Sequence, residues 1–339
     1  MRKLLKTLML LLLPGAYAAF GQQFPLSNHY TINPYTLGPQ YAGVRSSGEF
    51  FFNYRKDWVN INPSPETIRF NANFGVGGGI YLGAEAFLDR VDILERFKGS
   101  LSFTYKLQMA DEQYLYFGMN GQMYQNSVDL GRLHGDLSDP LFQNLDKLTK
   151  LNFNAGWGIL YTNPWLEAGL GMPVVLRTRN AYLLQSQGNF AFEREFLFHA
   201  AGKLPVADNT FLVPMILVRQ TANQPTGIEA AMNVMFNDQF WLGGLYRNSQ
   251  ALAFLAGGKL LGAMQLTYSY ETGLGGYHFR SGGTHEITLG FRFGDSQIEG
   301  KTKKQSTGGP PERNKKRDNN KRFMLHEYQQ MYEQKYKRD

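Results

Sequence analysis

The chain of 339 residues has no cysteine at all. That removes a disulfide framework, a thiol nucleophile and any thiolate metal site. Long apolar runs are also scarce. Only the first residues hold one, and Leu8–Leu13, cut off by Pro14-Gly15, falls well short of the ~20 residues a membrane helix needs. The longest later run, Leu212 to Val218, is broken by Pro214. Mean hydropathy is −0.36, so a helical membrane protein is not implied. Histidines number six, none two in H-x-x-x-H spacing, which disfavours a metal site and leaves metal and cofactor unassigned. Neither G-x-G-x-x-G, a Walker motif nor a G-x-S-x-G elbow occurs, so the residues point away from an enzyme.

What the chain does have is alternation. Between Gln113 and Met123, Leu115, Phe117, Met119 and Met123 fall on one parity, with Tyr114, Tyr116, Asn120 and Gln122 on the other. A period of two describes a strand with one apolar and one polar face. The pattern recurs around residues 50–54, 68–74, 101–107, 151–159, 228–236, 266–270 and 287–293. Weaker candidates lie near 79–87, 165–172, 182–192, 196–204, 210–219, 239–247 and 252–260. The fold class that follows is all-β, a transmembrane antiparallel β-barrel of about 14 strands. Aromatics at 14% and 37 glycines suit such a barrel.

A charge facing lipid at mid-bilayer costs about 2–4 kcal/mol for Arg or Lys. Glu286, Arg292, Glu229, Arg69 and Lys106 share their face with Asn, Thr and Gly, so that face is expected to line the lumen. The Leu, Phe, Ile and Tyr set is expected to meet lipid. Charges of both signs can pair across the lumen, which suggests a filled or narrow interior. A soluble β-sandwich or lipocalin-like barrel is the competing architecture, disfavoured by the strand number and the aromatics along the apolar face.

The ends are separate objects. Arg2, Lys3 and Lys6 precede the apolar run, and small residues follow it, so residues 1–21 read as a signal peptide cleaved before Gln22. Residues 22–47 are punctuated by Pro and Gly and read as an N-terminal periplasmic or lumen segment. The barrel is assigned to 48–295, with Ser127–Lys150 as a long outer loop. Residues 296–339 form a basic periplasmic tail with twelve basic against six acidic residues. The net charge of +7 therefore belongs to the ends, which argues against a nucleic-acid-binding domain. In the tail, Leu325, Tyr328, Tyr332 and Tyr336 have the spacing of one helical face, a candidate contact for a periplasmic lipoprotein or peptidoglycan-associated partner. An even strand number would put both termini on the periplasmic side.

Several ordered segments carry a family resemblance: Asn33-Pro34 through Tyr41-Ala42-Gly43; Arg55-Lys56-Asp57-Trp58 followed by Pro65-Glu66-Thr67; the glycines of 75–83; Leu115–Met119; Asn154–Tyr161; and Gly282-Gly283-Thr284-His285-Glu286-Ile287 leading to Phe293. In this the chain resembles the PorP/SprF outer-membrane proteins of the type IX secretion system of Bacteroidetes. It departs from the usual pattern in Asp57, in Gly38-Pro39-Gln40 and in the basic tail. The resemblance implies a non-enzymatic accessory component in the bacterial outer membrane. Its partners would be lipid, the secretion machinery and the C-terminal domains of specific cargo such as gliding adhesins. Asn33, Pro34, Tyr41, Ala42, Gly43, Arg55, Trp58, His285 and Glu286 become the candidate partner-binding or family-motif residues. The alternative is an outer-membrane transport barrel for small or hydrophobic solutes.

Overall fold

A computed structural model describes residues 25–129, 147–181, 189–222, 224–237, 239–249, 251–260, 262–274 and 281–294. The signal peptide, the basic tail with Leu325, Tyr328, Tyr332 and Tyr336, and residues 130–146 of the expected outer loop lie outside these. Three short 3-10 turns, Asn28–Thr31, Pro34–Leu37 and Pro39–Tyr41, come first. The strands follow: β1 (Gly48–Lys56), β2 (Glu66–Gly77), β3 (Ile80–Val91), β4 (Leu94–Ala110), β5 (Gln113–Asp129), β6 (Lys147–Thr162), β7 (Leu166–Val174), β8 (Thr178–Ala181), β9 (Asn189–Phe192), β10 (Glu195–Gly202), β11 (Leu204–Ala207), β12 (Thr210–Thr221), β13 (Gly227–Phe236), β14 (Phe240–Arg247), β15 (Ala251–Lys259), β16 (Met264–Gly273) and β17 (Thr284–Phe293).

Each neighbouring pair is antiparallel, and the sheet closes on itself. β1 runs beside β17 from Gly48↔Phe293 to Lys56↔His285, while β10 pairs with both β7 and β12. β11 extends the hairpin that joins β10 to β12, and β8 and β9 form a small separate ladder. The result is a closed 14-strand barrel, as the alternation predicts. No helix among the described residues is long and apolar enough to cross a membrane. Closure leaves no strand edge to satisfy in lipid.

Turn chemistry sets the hairpins. Gly77, Gly78 and Gly79 all take positive φ where β2 turns into β3, so they make a tight turn and not a phosphate loop, while Gly75 and Gly83 lie in the flanking strands. Connections are short at this end, as between β4 and β5 or β6 and β7; the other end carries the long ones, as between β1 and β2 or β16 and β17, beside the two-residue turn between β3 and β4.

The faces sort as a membrane barrel requires. Phe50, Phe52, Phe70, Phe74, Leu101 and Phe153 are exposed outward, whereas Glu49, Asn53, Arg55, Arg69, Asn71 and Asn73 on the same or adjacent strands are buried. Three expectations need correction. Of the candidate strand 182–192, the described residues 189–192 do not join the barrel sheet; they pair with 178–181 in a separate ladder. The segment Ser127–Lys150 is strand at both ends, since β5 runs to Asp129 and β6 begins at Lys147. Finally, the lumen is not lined by polar residues alone. Leu197, Phe211, Met215, Leu217, Met235, Trp241, Leu245 and Leu255 are buried on the inner face of β10 and β12–β15.

Candidate functional site

Those apolar inner residues have a partner within the barrel. Residues 25–47 run through the lumen and fill it. Tyr30, Tyr35, Leu37, Tyr41, Ala42 and Val44 pack in one cluster with Leu160, Leu197, Met215, Leu217 and Leu245, and Ile32 packs with Phe211, Met235 and Trp241. The segment folds as consecutive 3-10 turns because Pro34 and Pro39 each open one with a preset φ and no N–H to orphan. Ser27 caps the first turn, its Oγ accepting from the His29 N–H at 3.0 Å.

The opposite side of the segment is held by charge. The Glu286 carboxylate on β17 accepts from the Ser27 hydroxyl, from the Asn28 N–H at 2.8 Å, from Asn53 Nδ2 at 2.7 Å and from Arg55 Nη1 at 3.2 Å. Arg55 also donates to Asp57 at 2.9 Å and to Glu271 at 3.3 Å. Glu271 is shared with Arg247 at 2.7 Å, and Arg247 reaches Glu229 at 2.9 Å and Asn28 Oδ1 at 2.8 Å. Nearer the short-turn end, Arg292 donates to Glu49 at 3.2 Å and to the Ile32 carbonyl at 2.5 Å. Across the lumen Arg45 forms a two-toothed pair with Glu167. Buried charges survive in folded proteins when paired and hydrogen-bonded in this way.

Within the lumen segment, burial dominates the titrating groups. His29 is held below the usual histidine range by burial, opposed by Glu286 at 3.9 Å and reinforced by Arg55. Its Nδ1 shares a 2.7 Å hydrogen bond with Thr288. Burial pushes the Tyr30, Tyr35 and Tyr41 hydroxyls well above the usual phenol range, so all three stay neutral donors. Tyr35 meets Ser102 at 2.6 Å and Tyr41 meets His199 at 2.9 Å.

The residues singled out in the sequence fall into two groups. Asn33, Pro34, Tyr41, Ala42 and Gly43 belong to the lumen segment and are buried. Gly43 has φ +76, and a Cβ there would stand 2.1 Å from the Tyr81 ring, so both conformation and space demand glycine. Arg55 and Glu286 are brought together. Trp58 and His285 are not part of this site. Trp58 is exposed in the loop after β1, and His285 points outward, against Tyr268 at 2.7 Å and beside the Tyr270 ring. His285 and Glu286 are neighbours in sequence on opposite faces of one strand. Sequence reasoning missed Ser27, Asn28, His29, Arg247 and Glu271. Only the buried side of the period-two pattern in β14 and β16 could have pointed to the last two. Among the described residues no group of three or more His, Asp or Glu is set to hold a metal.

A family model described as "Type IX secretion system membrane protein PorP/SprF" matches residues 19–291. No curated protein sequence matches the chain. Among solved structures the chain is similar to the Acinetobacter baumannii outer membrane protein Omp33, at 8% identity and TM-score 0.43 over 74% of this chain and 100% of that one. It is similar to the CymD monoaromatic hydrocarbon channel, at 8% identity and TM-score 0.49 over 83% and 97%. It is also similar to the Pseudomonas putida toluene transporter TodX, at 8% and 0.45 over 76% and 92%. The family match covers most of the chain, so the protein belongs to the PorP/SprF family of type IX secretion system membrane proteins, a non-enzymatic family with an outer-membrane barrel.

Proposed function

We propose that this PorP/SprF-family barrel is an accessory component supporting export or surface anchoring of specific cargo through the cargo's C-terminal domain. The observation that carries the reading is the occupied lumen. A segment fastened by a chain of ion pairs on one side and a continuous apolar cluster on the other makes the barrel a rigid platform. A platform serves a machine by presenting surfaces to it. The short turns and the end of β17, from which the tail continues, then face the periplasm, following the usual asymmetry of bacterial barrels. The basic tail, with Leu325, Tyr328, Tyr332 and Tyr336, would engage a periplasmic lipoprotein or peptidoglycan-associated partner, and the long loops would meet cargo outside.

The test compares the cell-surface and culture-fluid proteomes of a clean deletion strain and its parent. One or a few proteins with type IX C-terminal domains should vanish from the surface. Loss of every such cargo would make the protein a core component instead. An unchanged set of cargo would overturn the proposal in favour of solute transport.

A further inference from the structure

Toward the long-loop end, between the wall and residues 25–26 and 35–39 of the lumen segment, lies a cavity of about 70 Å³, room for a few water-sized groups. Its walls carry three cations, Arg69, Lys98 and Arg219, and two carboxylates, Glu85 and Glu195. Lys98 pairs with Glu85, and Arg219 lies 3.9 Å from Glu195. Arg69 is left over. It is 5% exposed, and neither its Nε nor its Nη1 has a hydrogen-bond partner among the described residues. Its guanidinium carbon sits 4.8 Å from the centre of the Phe87 ring, which stabilises the cation and supplies no acceptor. A buried guanidinium without an acceptor is strongly unfavourable, so this position calls for an anion.

We infer that this cavity is a binding site for a single carboxylate, seated on Arg69. The charge balance selects the ligand class. Among the lining residues the cations exceed the carboxylates by one, and the buried Asp89 behind the wall also draws on Arg69, so the site takes no more than a monoanion; Glu85 and Glu195 repel a dianion. The planar guanidinium fits a carboxylate through two parallel hydrogen bonds. The small volume admits the carboxylate and its first carbon and excludes a ring. The carboxylate has two possible sources, an acidic side chain of a polypeptide entering between the loops or a free small acid. The inference holds whether or not the barrel serves cargo export.

The test uses the full chain in detergent micelles and saturation-transfer NMR at neutral pH. The probes are acetate and an N-acetylated, C-amidated tripeptide with a central glutamate, and sulfate is the competing dianion. Acetate should bind saturably. Arg69→Gln should weaken it about tenfold or more, as loss of charge-assisted hydrogen bonds implies. Glu195→Gln should strengthen it severalfold, an opposite sign that a merely misfolded variant would not give. Binding of the tripeptide as well as acetate would assign the site to polypeptide, and binding of acetate alone to a free acid; either upholds the carboxylate. The inference falls if acetate shows no saturable binding, if Arg69→Gln binds it as the wild type does, or if sulfate displaces it more effectively than acetate itself.

Discussion

The inner wall has two arcs. On β16, β17 and β1–β5 the inward side chains are mostly polar or charged: Gln265, Ser269, Glu286, Arg292, Glu49, Arg55, Asn71, Asn73, Ser102 and Gln122. On β10 and β12–β15 they are mostly apolar: Leu197, Met215, Leu217, Met235, Trp241, Leu245 and Leu255. Residues 25–47 meet both arcs. Hydrophobic burial is non-directional, so the apolar side chains of this arc hold the segment without choosing its register, and only its few polar groups, Arg247 on Asn28 and His199 on Tyr41, add direction. Hydrogen bonds to fixed charges are directional, and those on Glu286 accept from Ser27 and Asn28 in particular. The apolar arc supplies most of the adhesion and the polar arc most of the position.

The largest effect should come from the polar arc. Glu286→Ala removes the shared acceptor of Ser27, Asn28, Asn53 and Arg55 and leaves buried donors facing each other. Breaking one partner of such a buried set costs about 3–5 kcal/mol. The urea midpoint of the reconstituted barrel should fall accordingly. Trypsin should gain access to Arg45, which in the wild type is partly buried and paired with Glu167. A variant that keeps both its midpoint and its resistance at Arg45 would show that the charge chain does not hold the segment.

Leu245→Ala probes the other arc and should do less. Leu245 is 1% exposed and packs in the cluster with Tyr30 and Tyr41. Truncating a buried leucine costs roughly 2–3 kcal/mol at a site that partly collapses. The midpoint should drop while Arg45 stays protected, because register is set elsewhere. If cleavage at Arg45 appears here but not in Glu286→Ala, the division of labour between the arcs is reversed.

The same two arcs explain what the sequence discloses. Strands of the polar arc, such as β1, β2 and β17, show clean alternation because one face meets lipid and the other meets charge. In β10, β12, β14 and β15 both faces are apolar, so Leu217, Leu245 and Leu255 blur the period and these strands read only as weak candidates. The barrel and its strand number are therefore legible, and the apolar half of its interior is not. The position of residues 25–47 is hidden for a different reason. Pro34, Pro39 and Gly43 mark turns but carry no periodicity, and the partners that place the segment lie far away, Ser27 and Glu286 being 259 positions apart. Arg55 and Glu286 emerge from the family resemblance as separate motif residues, and only the closure of β1 on β17 shows that they form one pair.

The smallest effect should be a pH dependence at the junction of segment and wall. His29 is fully buried, and burial holds its folded pKa below the ordinary value of 6.5. The groups facing it are Thr288 on Nδ1, Glu286 at 3.9 Å and Arg55 behind that carboxylate. Once residues 25–47 leave the lumen, the imidazole regains its ordinary pKa and binds a proton more readily than in the folded barrel. The released state thus takes up more protons as pH falls below about 6.5, and stability declines in that direction. Above that pH His29 is neutral in both states and contributes no slope. His29→Gln keeps a group able to bond Thr288 and cannot titrate, so its unfolding midpoint should fall less than that of the wild type between pH 7 and pH 5. Parallel curves for the two proteins would mean that the carboxylate of Glu286 offsets the burial of the imidazole and that this contact carries no pH signal.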